Sequence, residues 1–543
     1  MSVVTPESSS VRPDQPKRMR REAGRQGLLF IAVSGIIGSG WLLSPMFAAQ
    51  DAGPAALISW VLGGIAVAIL ALSMAELSTM FPLAGGIARH PHFAFGGFAG
   101  WLVGWLAWLG FVTTTPVEVL AALQYATNYI PWLTHQSGGQ IVLTGPGYVV
   151  AAGLMVLFAA VNILGVRWLL RTTVITGWWK LIIPLVASVM IIAFGHHGHN
   201  LTSYGGFAPY GVKGILLAVA GGGIIFAYTG FEQAAVMAGE TKNPSRNVPI
   251  AVIGSVGIVA VIYVLLQLAL LLGVGPAALR HGWAGLTTSG FGAYGPFASI
   301  ATTLGLSWVA VLLYIDAFVS PAGCGLVYVA TTARTSYAMG RNLGLAGSSV
   351  SWVSKEGVPV FSIILAAGLG LLFLLPFPSW QVLVSFITSS LVMMYGLMPP
   401  ACAALRRQLP KTERPYRVPG GDVFLFLGFL VANLIIFWTG WNTNWKLLIA
   451  IGIGLALLVP SLWRQHAQES LELRHGWWLL PYLVGLGVLS YLGTFGGGKG
   501  YIPFGWDFLV VIAFSVVIWL LALASRLPAE RVEKIVQETG WDV

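Results

Sequence analysis

The sequence predicts an all-α polytopic membrane protein with about fourteen transmembrane helices, and three observations carry that prediction. First, 56% of the 543 residues are hydrophobic and only 9% are charged, against roughly 25% charged in soluble domains. Second, apolar runs of about 20 residues recur along the chain, long enough to cross a hydrocarbon core roughly 30 Å thick. Alternating strands of about 10 residues, the mark of a membrane barrel, are absent from the sequence pattern. Third, Lys and Arg segregate. With the N-terminus inside, 24 of the 29 fall in loops on the inner side, and only Lys213, Arg280, Lys446 and Lys499 lie outside. Lys180, within a span, completes the set. A missed helix would invert every later loop and erase this bias, which is what the positive-inside rule describes.

The spans read along the chain are 27–49, 54–80, 96–130, 147–165, 174–195, 215–238, 249–274, 300–338, 359–377, 379–405, 422–441, 445–463, 477–495 and 506–525. The third and eighth exceed one straight crossing and are expected to tilt. Residues 1–26 form a polar cytoplasmic N-terminal tail whose basic stretch Lys17 to Arg25 orients the first helix rather than acting as a cleaved leader. Residues 27–405 form the helical core of helices 1–10, 406–525 supply peripheral helices 11–14, and 526–543 are a short polar tail, also cytoplasmic, expected to be disordered or surface-lying. The net charge of +10 is not a nucleic-acid signal, because the basic residues lie between apolar runs rather than in a patch with aromatics. Cys324 and Cys402 lie in apolar segments and imply no disulfide framework.

Two spans are interrupted alike. The first contains Ser34-Gly35-Ile36-Ile37-Gly38-Ser39-Gly40; the sixth contains Gly221-Gly222-Gly223 and Phe226-Ala227-Tyr228-Thr229-Gly230. Mid-helix glycine is unfavourable by about 1 kcal/mol relative to alanine, so these clusters mark places where the helix unwinds. Glycine interruptions at matching positions of two halves point to a secondary transporter's binding site. An unwound break leaves free N–H groups at one half-helix start, which suit a carboxylate, and free carbonyls at the other half-helix end, which suit an ammonium. That pair of dipoles fits a zwitterionic amino acid. The alternative is that the glycines only allow close helix packing.

The stretch Gly35 to Gly40 resembles the first-helix signature of the amino acid–polyamine–organocation superfamily. So do Phe226-Ala-Tyr-Thr-Gly-Phe-Glu232 with the following Ala238 to Pro249, Ala75-Glu76-Leu77 with Phe81 to Gly86, Arg334 to Arg341, and Arg414-Pro-Tyr-Arg-Val-Pro-Gly420. The resemblance covers the first ten to twelve spans in order. It implies a LeuT-like five-plus-five inverted repeat of helices 1–5 and 6–10, with additional C-terminal helices, and a substrate between helices 1, 3, 6, 8 and 10. By position, the N–H groups of Ser39 and Gly40 would hold the substrate carboxylate. Carbonyls around Ile36, Phe226 and Tyr228 would hold the ammonium, beside Thr115 and Gly230, and Phe226 falls at the aromatic gate. The chain departs from the family pattern at Arg89-His90, where an aromatic residue is usual.

Ionisable groups inside the membrane mark function by default. Lys180 follows Trp178-Trp179 in the fifth span; the resemblance implies that it takes the place of a sodium ion, tying the first helix to the eighth. Otherwise it is a structural cation or a snorkelling lysine. Glu118 follows Thr113-Thr114-Thr115-Pro116, where Pro116 frees a backbone carbonyl; it is read as a pocket residue that binds a cationic side chain, carries the coupling proton or pairs with Lys180, or as a buried structural hydrogen-bonding group. Asp316 shares a helix face with Ser320, and both are candidates for ion coupling, with an interfacial carboxylate as the alternative. Glu76, Glu232 and Glu240 are read as holding gates and loops. The adjacent His196, His197 and His199 in an outer loop lack the convergence a metal site needs, so no metal or cofactor is expected.

No Walker A sequence or catalytic motif is present, so the chain is read as a non-enzyme. The expected function is sodium-independent, proton-coupled amino acid symport by alternating access in a cell membrane, with amino acid, protons and lipid as partners and no nucleic acid. An amino acid exchanger is the alternative, and a transporter-fold nutrient sensor without flux is the alternative of another class. The motif fixes amino and carboxyl groups rather than the side chain, and the reading leans to a neutral or broad substrate range. Oligomeric state is unreadable.

Overall fold

Each of the fourteen apolar runs contains helix in the computed structural model, which describes residues 23–83, 86–137, 140–164, 166–286, 291–292, 295–343, 354, 359–377, 379–462 and 471–538. The first 22 residues of the N-terminal tail, the Ala84-Gly85 portion of the 81–86 motif and the last five residues lie outside the described residues. Ten described helices are long and apolar enough to cross a bilayer, and shorter apolar helices cover 25–36, 211–220 and 360–373. The chain is therefore a multi-pass all-α membrane protein. With no water in the hydrocarbon region, helices satisfy their own backbone groups.

The first span is broken as the glycines predict: α1 (Arg25–Ile36) and α2 (Gly40–Ala52) flank three non-helical residues. The long α3 (Ala56–Met80), the short α4 (Gly86–Phe95), and α5 (Gly97–Ala126) follow. A hairpin of β1 (Thr134–Ser137) and β2 (Gln140–Leu143) then leads to α6 (Gly145–Ile163) and α7 (Val166–Phe194). The sixth span is broken twice, giving α8 (Gly211–Ala220), α9 (Ile224–Tyr228) and α10 (Glu232–Val236). Gly223 at φ +82° and Gly230 at φ +120° stand at the two breaks, in backbone conformations that glycine alone adopts readily. Then come α11 (Pro244–Gly273), α12 (Pro296–Thr303), α13 (Ser307–Leu343), α14 (Val360–Phe373), α15 (Trp380–Gly396) and α16 (Met398–Gln408).

Among the described helices long enough to cross a membrane, α5 is the most buried, shielded from lipid almost throughout and packed against α13 and α15. That position explains why it tolerates Thr113, Thr114, Thr115 and Glu118 in its middle. Pro116 forgoes the bond to Val112, and the threonines bond elsewhere: Thr113 Oγ1 donates to Leu109 O at 2.6 Å and Thr114 Oγ1 to Gly110 O at 2.8 Å.

Outside this core, α17 (Asp422–Thr439) and α18 (Trp441–Leu462) join two further helices, Leu479–Leu492 and Trp506–Ala524. Polar contacts between helices fasten them, as is common in lipid. Asn433 Nδ2 donates to Ser515 Oγ at 2.9 Å, and Tyr482 OH donates to Asn433 Oδ1 at 2.9 Å. Ser389 Oγ in α15 donates to Asn444 Oδ1 in α18 at 3.0 Å, tying this outer layer to the core.

Of the two expectations for the C-terminal tail, disordered or surface-lying, the described part is ordered. Residues Ala529–Glu538 form a helix that packs against α4, with Val532, Ile535 and Val536 buried. Leu527 N donates to Ala94 O at 3.0 Å, and Gln408 Nε2 donates to both Ala94 O and Leu527 O. Apolar residues spaced i, i+3 and i+4 give this otherwise charged segment one stripe to bury.

Candidate functional site

The two broken spans meet backbone to backbone. A methyl group on Gly230 would lie 2.3 Å from Gly35 C and 2.4 Å from Ile36 N, and one on Gly40 would lie 2.7 Å from Ala227 Cα. These glycines are present because nothing larger fits between the breaks.

Lys180 supplies a cation to the first break. Its Nζ, fully buried, donates to Ser34 O at 2.9 Å and Ile37 O at 2.8 Å. Those carbonyls lie at the C-terminal end of α1, the negative end of its dipole. Gly323 in α13 makes room for the ammonium, since a Cβ there would come within 3.0 Å of Nζ. Lys180 is thus bonded to the first span and sits beside Gly323 of the eighth. Among the described residues no carboxylate lies within ion-pair distance of it, so neither Glu118 nor Asp316 is its direct partner. Asp316 instead accepts from Trp179 Nε1 at 2.6 Å and from Ser320 Oγ at 2.8 Å, on the shared helix face the sequence predicts.

The start of α2 is occupied. Ser39 N donates to Glu118 Oε2 at 2.6 Å, and a Cβ on Gly38 would lie 2.5 Å from Glu118 Oε1. Glu118 is buried and caps the positive end of α2 in the manner of an anion at a helix N-terminus. The N–H that the sequence assigns to a substrate carboxylate is thus held by the protein's own carboxylate. Thr115, one turn before Glu118, reaches Gly325 O at 3.4 Å.

Two of the carbonyls expected to hold an ammonium have partners as well. Ile36 O accepts from Tyr263 OH at 3.2 Å, and Phe226 O accepts from Thr229 Oγ1 at 2.7 Å. Tyr228 turns its hydroxyl to Trp60 O at 3.1 Å and packs its ring against Trp60 and Tyr263. Gly230 N donates to Glu232 Oε2 at 2.7 Å. Glu232 also accepts from Tyr328 OH at 3.0 Å and Tyr395 OH at 2.8 Å, and so fastens the second break of the sixth span to α13 and α15. Glu76 and Glu240 have comparable holding roles. Glu76 receives Arg406 through two nitrogens and Val418 N at 2.7 Å, and Glu240 lies 3.5 Å from Arg334.

Sequence reasoning missed Trp380, the first residue of α15. Its indole N–H donates to Ser39 Oγ at 2.9 Å, while its ring stacks on Phe47 and meets Phe226 edge-on. A tryptophan at the start of a span reads as an interfacial anchor, so the sequence alone offers no signal for this contact. Cys324 is a second omission: its thiol donates to Gly35 O at 3.2 Å beside the first break.

Departure from the family pattern at Arg89-His90 has a structural counterpart in α4. His90 is buried, its Nε2 lies 3.3 Å from Phe81 O, and burial lowers its pKa from the ordinary 6.5 to about 4. The imidazole fills the volume of a small aromatic residue as a neutral ring.

Comparison with known proteins adds the remaining facts. The family model for amino acid permeases matches residues 24–458. The glutamate/serine transporter AimA of Bacillus subtilis (strain 168) is 35% identical over 522 residues, covering 94% of this chain and 95% of that protein. The aspartate-proton symporter of the same organism is 33% identical over 510 residues, covering 93% and 96%. The aromatic amino acid transport protein AroP of Escherichia coli (strain K12) is 26% identical over 469 residues, covering 82% and 94%. At 94% coverage the alignment with AimA extends past residue 458 into the last two apolar helices, beyond the reach of the family model.

Proposed function

The chain belongs to the amino acid permease family, and from that premise we propose that it is a sodium-independent, proton-coupled amino acid transporter in which Glu118 carries the coupling proton. The observation that carries this reading is the 2.6 Å bond from Ser39 N to Glu118. A substrate carboxylate seeking the start of α2 must displace the Glu118 carboxylate from it. Once displaced, that carboxylate is buried without a cation in ion-pair contact, an arrangement unfavourable by several kcal/mol, and taking up a proton relieves it. Substrate and proton then bind together, and departure of the substrate returns Glu118 to Ser39 as the proton leaves.

Lys180 supports sodium independence. Its ammonium neutralises the carbonyl end of α1 through Ser34 and Ile37, work that a bound monovalent cation would otherwise do. Ile36, Phe226, Tyr228 and Gly230 lie at the two breaks, and Ser320 orients Asp316 as a second buried carboxylate. In relation to substrate, the names of the first two relatives favour glutamate, aspartate and serine over the aromatic amino acids of AroP, which is the more distant match.

The test is uptake of labelled glutamate, aspartate, serine and phenylalanine into proteoliposomes in sodium-free buffer, with and without an inward proton gradient. Accumulation of one of the first three into empty vesicles, driven by the gradient, is expected. Uptake confined to preloaded vesicles would make the protein an exchanger. Sodium-dependent uptake, or no flux from folded protein, would refute the proposal.

A further inference from the structure

Trp380 takes part in two places. It meets Ser39 and Phe226 at the central break, and it also lines a separate cavity together with Gln124, Gln136, Gln140, Ser379 and Gln381. The cavity lies between the β1–β2 hairpin, α5 and the start of α15, and Gln136 at its rim is exposed.

We propose that this cavity is an outer binding site for a carboxylate of the incoming amino acid, occupied before Trp380 admits the substrate to the central break. The proposal rests on the transport reading above. Its chemistry is that of donors without acids. Gln136, Gln140 and Gln381 supply amide N–H groups, and none of the lining residues is acidic or basic. The first turn of α15 adds main-chain N–H groups, which have no partner within the helix and sit at the positive end of its dipole. This is a 17-residue helix, and its N-cap Ser379 makes no capping bond.

Ser379 is the decisive observation. It is only 4% exposed, its Oγ has no hydrogen-bond partner, and it lines the cavity. A buried hydroxyl left unpaired is unfavourable, and an N-cap serine would ordinarily close on its own helix. Here the hydroxyl and the helix N–H groups are left together for an external acceptor. A carboxylate matches them in charge and in its two acceptor oxygens.

A cysteine at the rim tests the assignment. Both native cysteines are buried, so Q136C reacts alone with a membrane-impermeant maleimide added outside. External aspartate or serine is expected to slow that reaction. In the Q136C/S379A double variant, the concentration giving half-protection should rise about tenfold, the loss of one hydrogen bond to a charged group. Labelling unaffected by either amino acid would overturn the proposal. So would half-protection at the same concentration with S379A, because protection would then come from closure around the central break. The melting temperature of S379A is expected to hold or rise, since the hydroxyl satisfies nothing in the unliganded protein; a fall of several degrees would make Ser379 a structural cap and refute the site. The labelling readout needs no flux, so absence of uptake would sink the transport reading while leaving this test decisive.

Discussion

Replacing Gly230 by alanine strikes the place where the two broken spans touch. Its φ of +120° is a conformation L-residues rarely adopt, unfavourable by about 1–3 kcal/mol for alanine. The added methyl would also lie 2.3 Å from Gly35 C, 2.4 Å from Ile36 N and 2.5 Å from Gly35 O, where ordinary contact begins at 3.4 Å. All three neighbours are backbone, so no side chain can swing aside, and α1 must retreat from α9 by about 1 Å to restore contact. Misplacement on that scale is of the order that lowers a catalytic rate 100-fold. The expected outcome is a melting temperature lowered by several degrees and transport reduced by at least tenfold. Thermal unfolding of purified protein and uptake by reconstituted protein measure the two effects. Gly257, in the middle of α11 with nothing within 4 Å of an added methyl, is the control; alanine there should be neutral or slightly stabilising. If G230A matched wild type in both assays, the close approach of the two breaks would be wrong.

Two further perturbations test neighbouring parts of the account. Lys180→Ala removes two charge-assisted hydrogen bonds and leaves Ser34 O and Ile37 O without their cation; a loss of about 3–5 kcal/mol and of accumulation is expected, and wild-type accumulation by a folded K180A protein would contradict the role given to Lys180. His90 predicts acid sensitivity. Its pKa is lower in the folded protein than in the unfolded chain, so its stabilising contribution is complete above pH 6.5 and is lost as pH falls toward 4. The drop from 6.5 to about 4 corresponds to about 3 kcal/mol, and H90F, with no proton to gain, should flatten the fall in melting temperature across that window. An identical pH profile for H90F would remove His90 as the cause.

The features legible in the sequence were those with a local signature. Helix breaks follow from Gly38, Gly223 and Gly230, and the pairing of Asp316 with Ser320 follows from helical spacing. Lys180 stands out because a lone cation in an apolar run needs a buried partner. What remained hidden depended on distance across the chain. Glu118 and Ser39 are 79 residues apart, and nothing local states that one caps the other, so the sequence alone assigns that N–H to a ligand. Trp380 lies further still from Ser39 in sequence, and its position at a span start matches the commoner interfacial role. The C-terminal helix is a different case: Val532, Ile535 and Val536 carry a helical stripe, but its short length and charged composition suggested a solvated tail. Docking on α4 supplies the burial that such a helix lacks alone.

The central claim, that Glu118 exchanges a proton as substrate displaces it from Ser39, is tested most directly by recording internal pH during aspartate or serine uptake by wild-type and E118Q proteoliposomes. Wild type is predicted to acidify the vesicle interior in step with uptake. E118Q, which keeps a side chain of the same shape but has no titrating carboxyl group, should exchange amino acid across the membrane without acidification and without accumulation. Acidification by E118Q equal to that of wild type would contradict the account and place the coupling proton elsewhere.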